Sequence, residues 1–178
     1  MGEILSDNLP NNLVIGFIAL VILVIVVVGV FFILPGDNGE PDGNNGIGEI
    51  SSVDLEMRGF EGGMLGGELR CRVKDAGTDE IKIRFDKIGA EDVLIFNNEE
   101  NAEYAYDGDS WMKIPLDQNT SYYKMPFEEW AKKGPGTYTF SYQEFSLEVT
   151  IKEVNPDLSD TLFKPPKNAS IHELEKTN

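Results

Sequence analysis

The chain has 178 residues, 26% of them charged, and a formal net charge of −16. So large an acid excess argues against a nucleic-acid partner, because phosphate recognition needs a basic surface. A single cysteine, Cys71, excludes an intramolecular disulfide, and a single histidine, His172, leaves little material for proton-relay chemistry.

Residues 1–12 form a short N-terminal tail without Lys or Arg. Leu13–Leu34, LVIGFIALVILVIVVVGVFFIL, then runs for 22 residues without a charge. As a helix it reaches about 33 Å, slightly more than the ~30 Å hydrocarbon core of a bilayer. Only a helix lets a lone span satisfy its own backbone polar groups in lipid. The run is too long for a signal-peptide h-region, lacks a basic n-region, and ends in Leu34-Pro35-Gly36-Asp37 rather than a small-residue cleavage site. The expectation is an uncleaved, single-pass anchor that places the protein in the cell membrane. The positive-inside rule does not vote on orientation, since the first Lys or Arg after the span is Arg58. The polar, acidic remainder, with sequons at Asn119-Thr120-Ser121 and Asn168-Ala169-Ser170, is expected to be extracytoplasmic.

Residues 35–48, PGDNGEPDGNNGIG, read as a flexible hydrophilic linker. The calcium-loop spacing is absent, because Gly39 stands where a second ligand is needed. No metal or cofactor is expected.

From Glu49 onward the apolar period is two. Val53, Leu55 and Met57 alternate with acids; Leu69, Cys71 and Val73 alternate with bases; Ile81, Ile83 and Phe85 do the same. Val93-Leu94-Ile95-Phe96 is a short, fully apolar strand, and Tyr104 and Tyr106 lead through Asp107-Gly108-Asp109 to Trp111. Tyr138, Phe140 and Tyr142 form another alternating run, and Phe145, Leu147, Val149 and Ile151 the last. Short strands separated by turn residues indicate an antiparallel meander. Its two-faced strands predict a sheet covered on one side and wet on the other.

One helix is legible. Pro126 suits a first turn, Phe127, Trp130 and Ala131 make an apolar stripe at i, i+3, i+4, and Gly134-Pro135-Gly136 stops it. Glu128 and Glu129 near its start and Lys132 and Lys133 near its end suit the helix dipole. A helix so short needs a sheet to pack on. The fold class is therefore a single transmembrane helix followed by a mainly-β, α+β domain.

Several stretches taken together resemble the outer-membrane lipoprotein carrier and receptor domains. The run Val149–Pro166, with Asn155-Pro156-Asp-Leu158-Ser-Asp160-Thr-Leu162-Phe163 ahead of Pro165-Pro166, is similar to that family's closing pattern. Asp79–Phe85 and the hairpin Tyr106–Pro115 are similar to two of its strands. The resemblance covers roughly residues 49–166 and leaves 167–178 as a polar tail. It implies a curved antiparallel sheet, a half-open barrel, with a short helix on an apolar concave face that receives acyl chains. No lipobox cysteine is present, and a membrane anchor stands in place of the signal peptide.

Catalytic arrangements are not legible. His172 falls in the polar tail, Cys71 shares a strand face with Leu69 and Val73, and Asp107 and Asp109 flank a turn glycine. The chain is read as a non-enzyme. Phe85, Phe96, Tyr104, Tyr106, Trp111, Trp130, Phe140, Tyr142 and Leu147 are the candidate apolar ligand face, or else an ordinary core. Phe60, Met64 and Leu65, in the glycine-dense stretch 59–67, make either a lip at the cavity mouth or a plain hairpin loop. The function expected is a membrane-anchored, non-catalytic module that holds or relays a lipid, an acyl chain or a lipidated protein. The alternative is a structural or interaction protein of the cell surface with a self-filled core.

Overall fold

The structure, a computed structural model, describes residues 48–61, 64–116, 126–142 and 145–173. The expected tail 1–12, the span 13–34, nearly all of the linker 35–48 and the Asn119 sequon lie outside the described residues, as do the side chains of Met64, Leu65 and Tyr142. Among the described residues no helix is long and apolar enough to cross a membrane.

Six strands follow one another as an antiparallel meander: β1 (Ser52–Glu61), β2 (Met64–Lys74), β3 (Lys82–Lys87), β4 (Asp92–Asn97), β5 (Ala102–Asp107) and β6 (Trp111–Pro115). Helix α1 (Phe127–Lys132) comes next, and the hairpin of β7 (Gly136–Tyr142) and β8 (Phe145–Val154) sets β8 against the free side of β1. A 3-10 turn at Asp160–Phe163 leads to β9 (Ile171–Glu173), which lies parallel to β6. The described strands make one open nine-stranded sheet in the order β7-β8-β1-β2-β3-β4-β5-β6-β9. This is a mainly-β, curved and open sheet with one short helix; the alternation predicts its antiparallel strands, and its curvature is the feature that the carrier resemblance implies. Bulges at Gly59/Phe60 and Asp54/Leu55 bend β1, the strand shared by both halves of the sheet.

Two connections shape the domain. β6 and β7 are adjacent in sequence but lie toward opposite ends of the sheet, and α1 sits on the return path between them. The helix buries Phe127, Trp130 and Ala131, the stripe read from spacing. Gly134 (φ 81°) ends it, and the Tyr138 hydroxyl donates to the carbonyls of Lys133 (2.7 Å) and Gly134 (3.1 Å), which closes off the C-terminal end. The second connection runs from β8 to β9 and must also traverse the sheet, this time on the other face. It starts at Asn155, a left-handed residue (φ 56°). The Asn155 Oδ1 accepts from Ser51 N (2.8 Å), and its Nδ2 donates to the Glu49 carbonyl (3.0 Å). This C-terminal strap is then pinned by Lys74 on Asp160 (2.8 Å), by Arg84 Nη1 donating to the Leu162 carbonyl (2.9 Å), and by Asn97 Nδ2 donating to the Phe163 carbonyl (3.2 Å).

The strap corrects the expectation of one wet face. The helix-bearing face carries the larger core, with Leu55, Met57, Cys71, Ile83, Phe85, Leu94, Phe96, Leu147 and Val149 among its buried residues. Beneath the strap a second core joins Val93, Ile95, Ala102, Tyr104 and Trp111 to Leu158 and Phe163. β4 and β5 are thus buried on both faces because both faces are covered, one by each crossing. The strands β7, β8, β1, β2 and β3 keep a polar face. It is laced with ion pairs: the cross-strand Lys152–Glu56 (2.8 Å) and bidentate Arg70–Asp54 (2.6 and 3.0 Å), and Asp86, which meets Arg84 of its own strand (2.7 Å) and Arg72 of the next (3.5 Å).

The glycine-dense stretch falls in the β1–β2 hairpin: β1 runs to Glu61 and β2 resumes at Met64. Phe60 lies within β1, because glycines at a bulge let the two backbones stay paired. Within the stretch 167–178, Ile171–Glu173 forms an edge strand on β6. Its Glu173 pairs with Lys113 at 3.2 Å.

Candidate functional site: a half-open hollow beside the helix

The residues expected to form one apolar ligand face are divided by the sheet. Phe85, Phe96, Trp130, Leu147 and Phe140 belong to the helix-bearing face. Tyr104, Tyr106 and Trp111 lie on the opposite face under the strap, with the Tyr106 and Trp111 rings stacked 5.1 Å apart. The division follows from parity: Tyr104 and Tyr106 share their side with Ala102, and Trp111 stands opposite Tyr106 in the ladder. The Tyr104 hydroxyl donates to Glu100 (2.5 Å), which in turn meets Lys164 of the strap.

On the helix-bearing face the large side chains pack on one another. Phe85 and Phe96 are wholly buried and meet edge to face at 6.2 Å. Phe127 and Trp130 of α1 meet at 5.8 Å, and Trp130 reaches the half-buried Phe140 at 6.0 Å. Cys71 is also wholly buried, and desolvation pushes its thiol well above the ordinary value. It is a small core residue shielded from reagents.

The space left open lies at the start of α1. A half-open hollow of about 550 Å³ is bounded by Pro126, Phe127, Glu128, Glu129 and Lys132 of the helix segment, by the β2–β3 loop from Ala76 to Asp79, and by Ile81 and Asn98. The loop is held by its own hydrogen bonds: Thr78 Oγ1 donates to the Asp75 carbonyl (2.8 Å) and accepts from Glu80 N (3.1 Å), and Ala76 N donates to the Ser51 carbonyl (3.0 Å). Gly77 has φ 76° and lies so close to Glu128 that an added Cβ would collide with its carboxylate. Acceptors dominate the wall. Asp79, Glu128 and Glu129 are carboxylates, and the buried Asn98 Oδ1 has no hydrogen-bond partner among the described residues. Lys132 is the one basic residue in the lining among the described residues. Such a hollow suits hydrogen-bond donors and a small apolar body. It holds no histidine or cysteine, and among the described residues no group of His, Cys, Asp and Glu has a metal-binding arrangement.

One buried acid was missed in the sequence. Glu103 is only 8% exposed on β5, opposite Phe96 and Ile114. Burial without a compensating charge raises its carboxyl to about 7. Its signal was present: in Ala102-Glu103-Tyr104-Ala105 the apolar residues occupy both parities, which marks a strand covered on both faces. His172, in contrast, is exposed on β9, and Asp107 serves its turn, with Oδ1 accepting from Asp109 N and Ser110 N at 3.1 Å each. No protein-family model matches the chain, and no curated protein matches it.

Proposed function

We propose that this chain is a non-catalytic, single-pass membrane-anchored interaction protein of the cell surface. Its domain lies outside the cytoplasm and meets partners through its surface, with a core filled by its own side chains. The observation that carries this reading is the burial of Phe85, Phe96, Trp130 and Leu147 against one another and the helix, where a carrier needs an empty trough. The charge-free run Leu13–Leu34, the polar linker behind it and the acidic surface support the anchored, extracytoplasmic placement. Protease added to intact spheroplasts should digest the domain, and native mass spectrometry of the detergent-extracted chain should find it free of stoichiometric lipid.

A second reading retains the lipid, acyl or lipidated-protein module that the carrier resemblance implies. The hollow of about 550 Å³ beside Phe127 favours it, being large enough for part of a chain. Titration of the full chain with a fluorescent fatty acid separates the two. Saturable binding that is lost on Phe127→Asp, in a variant that still unfolds cooperatively, would replace the first reading with the second.

A further inference from the structure

The two edges of the sheet are built differently. At one end β9 is three residues long, fully exposed, and carries Glu173 in an ion pair with Lys113. That edge is short and charged, as edges that resist pairing usually are. At the other end β7 is seven residues, GTYTFSY, without a charge or a proline. In a chain where 26% of residues are charged, an uncharged outermost strand of Thr, Tyr and Phe lacks the usual protection. No described strand lies beyond it. The neighbouring charges are already neutralised: Glu148, opposite Thr139, meets Arg58 at 3.4 Å, and Lys152 meets Glu56 at 2.8 Å. Thr137 and Thr139 are exposed on the polar face, with Thr137 and Thr150 sharing a hydrogen bond of 3.0 Å.

We propose that β7 is a homodimerisation edge, on which the β7 of a second copy pairs antiparallel about a two-fold axis at Thr139. The occupant follows from the pattern. Residues directly opposite in an antiparallel pair point to the same face, so a two-fold axis must pass through a residue, and Thr139 is the middle of Gly136–Tyr142. That register sets Tyr138 opposite Phe140 of the second copy on the helix-bearing face, where both already pack against the core. On the other face it sets Thr139 opposite Thr139. Aromatic and Thr–Thr cross-strand pairs are favourable ones, and no like charges meet although each chain carries −16. A seven-residue edge buries far less than the ~1,200–2,000 Å² of stable interfaces. The pairing therefore needs a high local concentration, which confinement of two chains to one membrane by residues 13–34 supplies. This last step rests on the anchor reading, whereas the edge itself does not.

Cysteine crosslinking of the full chain tests both parts separately. At the two-fold axis the Cα atoms come within about 4.5–5.5 Å, inside disulfide range. Residues 137 of the two copies are four positions out of register, about 14 Å apart. In membranes treated with copper–phenanthroline, Thr139→Cys should crosslink at least about tenfold faster than Thr137→Cys, and buried Cys71 should contribute nothing. Thr139→Lys sets two like charges opposite each other and should abolish co-purification of differently tagged copies, and mixing Thr139→Lys with Thr139→Glu should restore it. Equal crosslinking at 137 and 139, or full association of Thr139→Lys, would overturn the proposal. Carbonate extraction reads the anchor independently. If the chain washes off, the anchor reading fails, and the same cysteine pair compared in concentrated solution decides the edge.

Discussion

Removing the ring of Phe163 tests the strap directly. Phe163 is wholly buried, among Val93, Ile95, Ala102, Tyr104 and Trp111. Transfer of a buried aromatic ring and the cavity left behind together cost about 3–5 kcal/mol in Phe→Ala changes. The bond from Asn97 Nδ2 to the Phe163 backbone carbonyl survives the substitution, so nothing offsets or adds to that figure through lost hydrogen bonding. For a domain of this size the loss corresponds to a fall in Tm of roughly 10–20 °C. The assay is urea unfolding of the detergent-solubilised chain in a Trp130→Phe background, which leaves Trp111, in the same cluster, as the only tryptophan. Phe163→Ala should lower the midpoint with little change in slope and shift Trp111 emission to the red. If the strap were a loosely attached tail, the change would fall within about 0.5 kcal/mol, as surface substitutions do. That result, with unchanged Trp111 emission, would refute the second core.

The other predictions concern charge and backbone. Glu103 holds its proton to about pH 7 in the folded protein but titrates near 4.5 when unfolded, so between these values the folded state binds more protons and stability falls as pH rises. Glu103→Gln should match the parent near pH 4 and exceed it at pH 8 by up to roughly 3 kcal/mol in denaturant titrations; parallel stability profiles for the two proteins would refute this. The Lys82 side chain is 6% exposed and meets Glu99 (2.9 Å), Asp75 and Asp160 (3.3 Å each). Lys82→Met should cost about 1–3 kcal/mol, less than a fully buried pair because its partners can rehydrate, and hydrogen exchange should quicken in the strap at Leu162. Gly77→Ala, at φ 76° against Glu128, should cost about 1 kcal/mol through backbone strain, and an unchanged midpoint would show that this loop adapts freely.

Local structure was legible where local physics governs it. Period-two alternation marked the strands, and Phe127, Trp130 and Ala131 between Pro126 and Gly134 marked a helix that buries those three residues. The apolar run Val93–Phe96 marked a further strand, but the alternation of the others predicted one wet face, which the strap covers in part. What sequence could not determine was the cover. The pairing of Phe96 with Glu103 sets Tyr104 and Phe96 on opposite sides of the sheet, and which segment lies over each side depends on strand order. Because β7 and β8 join the far side of β1, one connection must cross the helix-bearing face and the other, through Leu158 and Phe163, must cross back over the opposite face to reach β6. Tyr104 and Trp111 are covered by Leu158 and Phe163, through contacts between residues far apart in the chain. Such contacts leave no periodic trace in sequence, because their energy depends on where the sheet brings the segments together and not on their neighbours along the backbone.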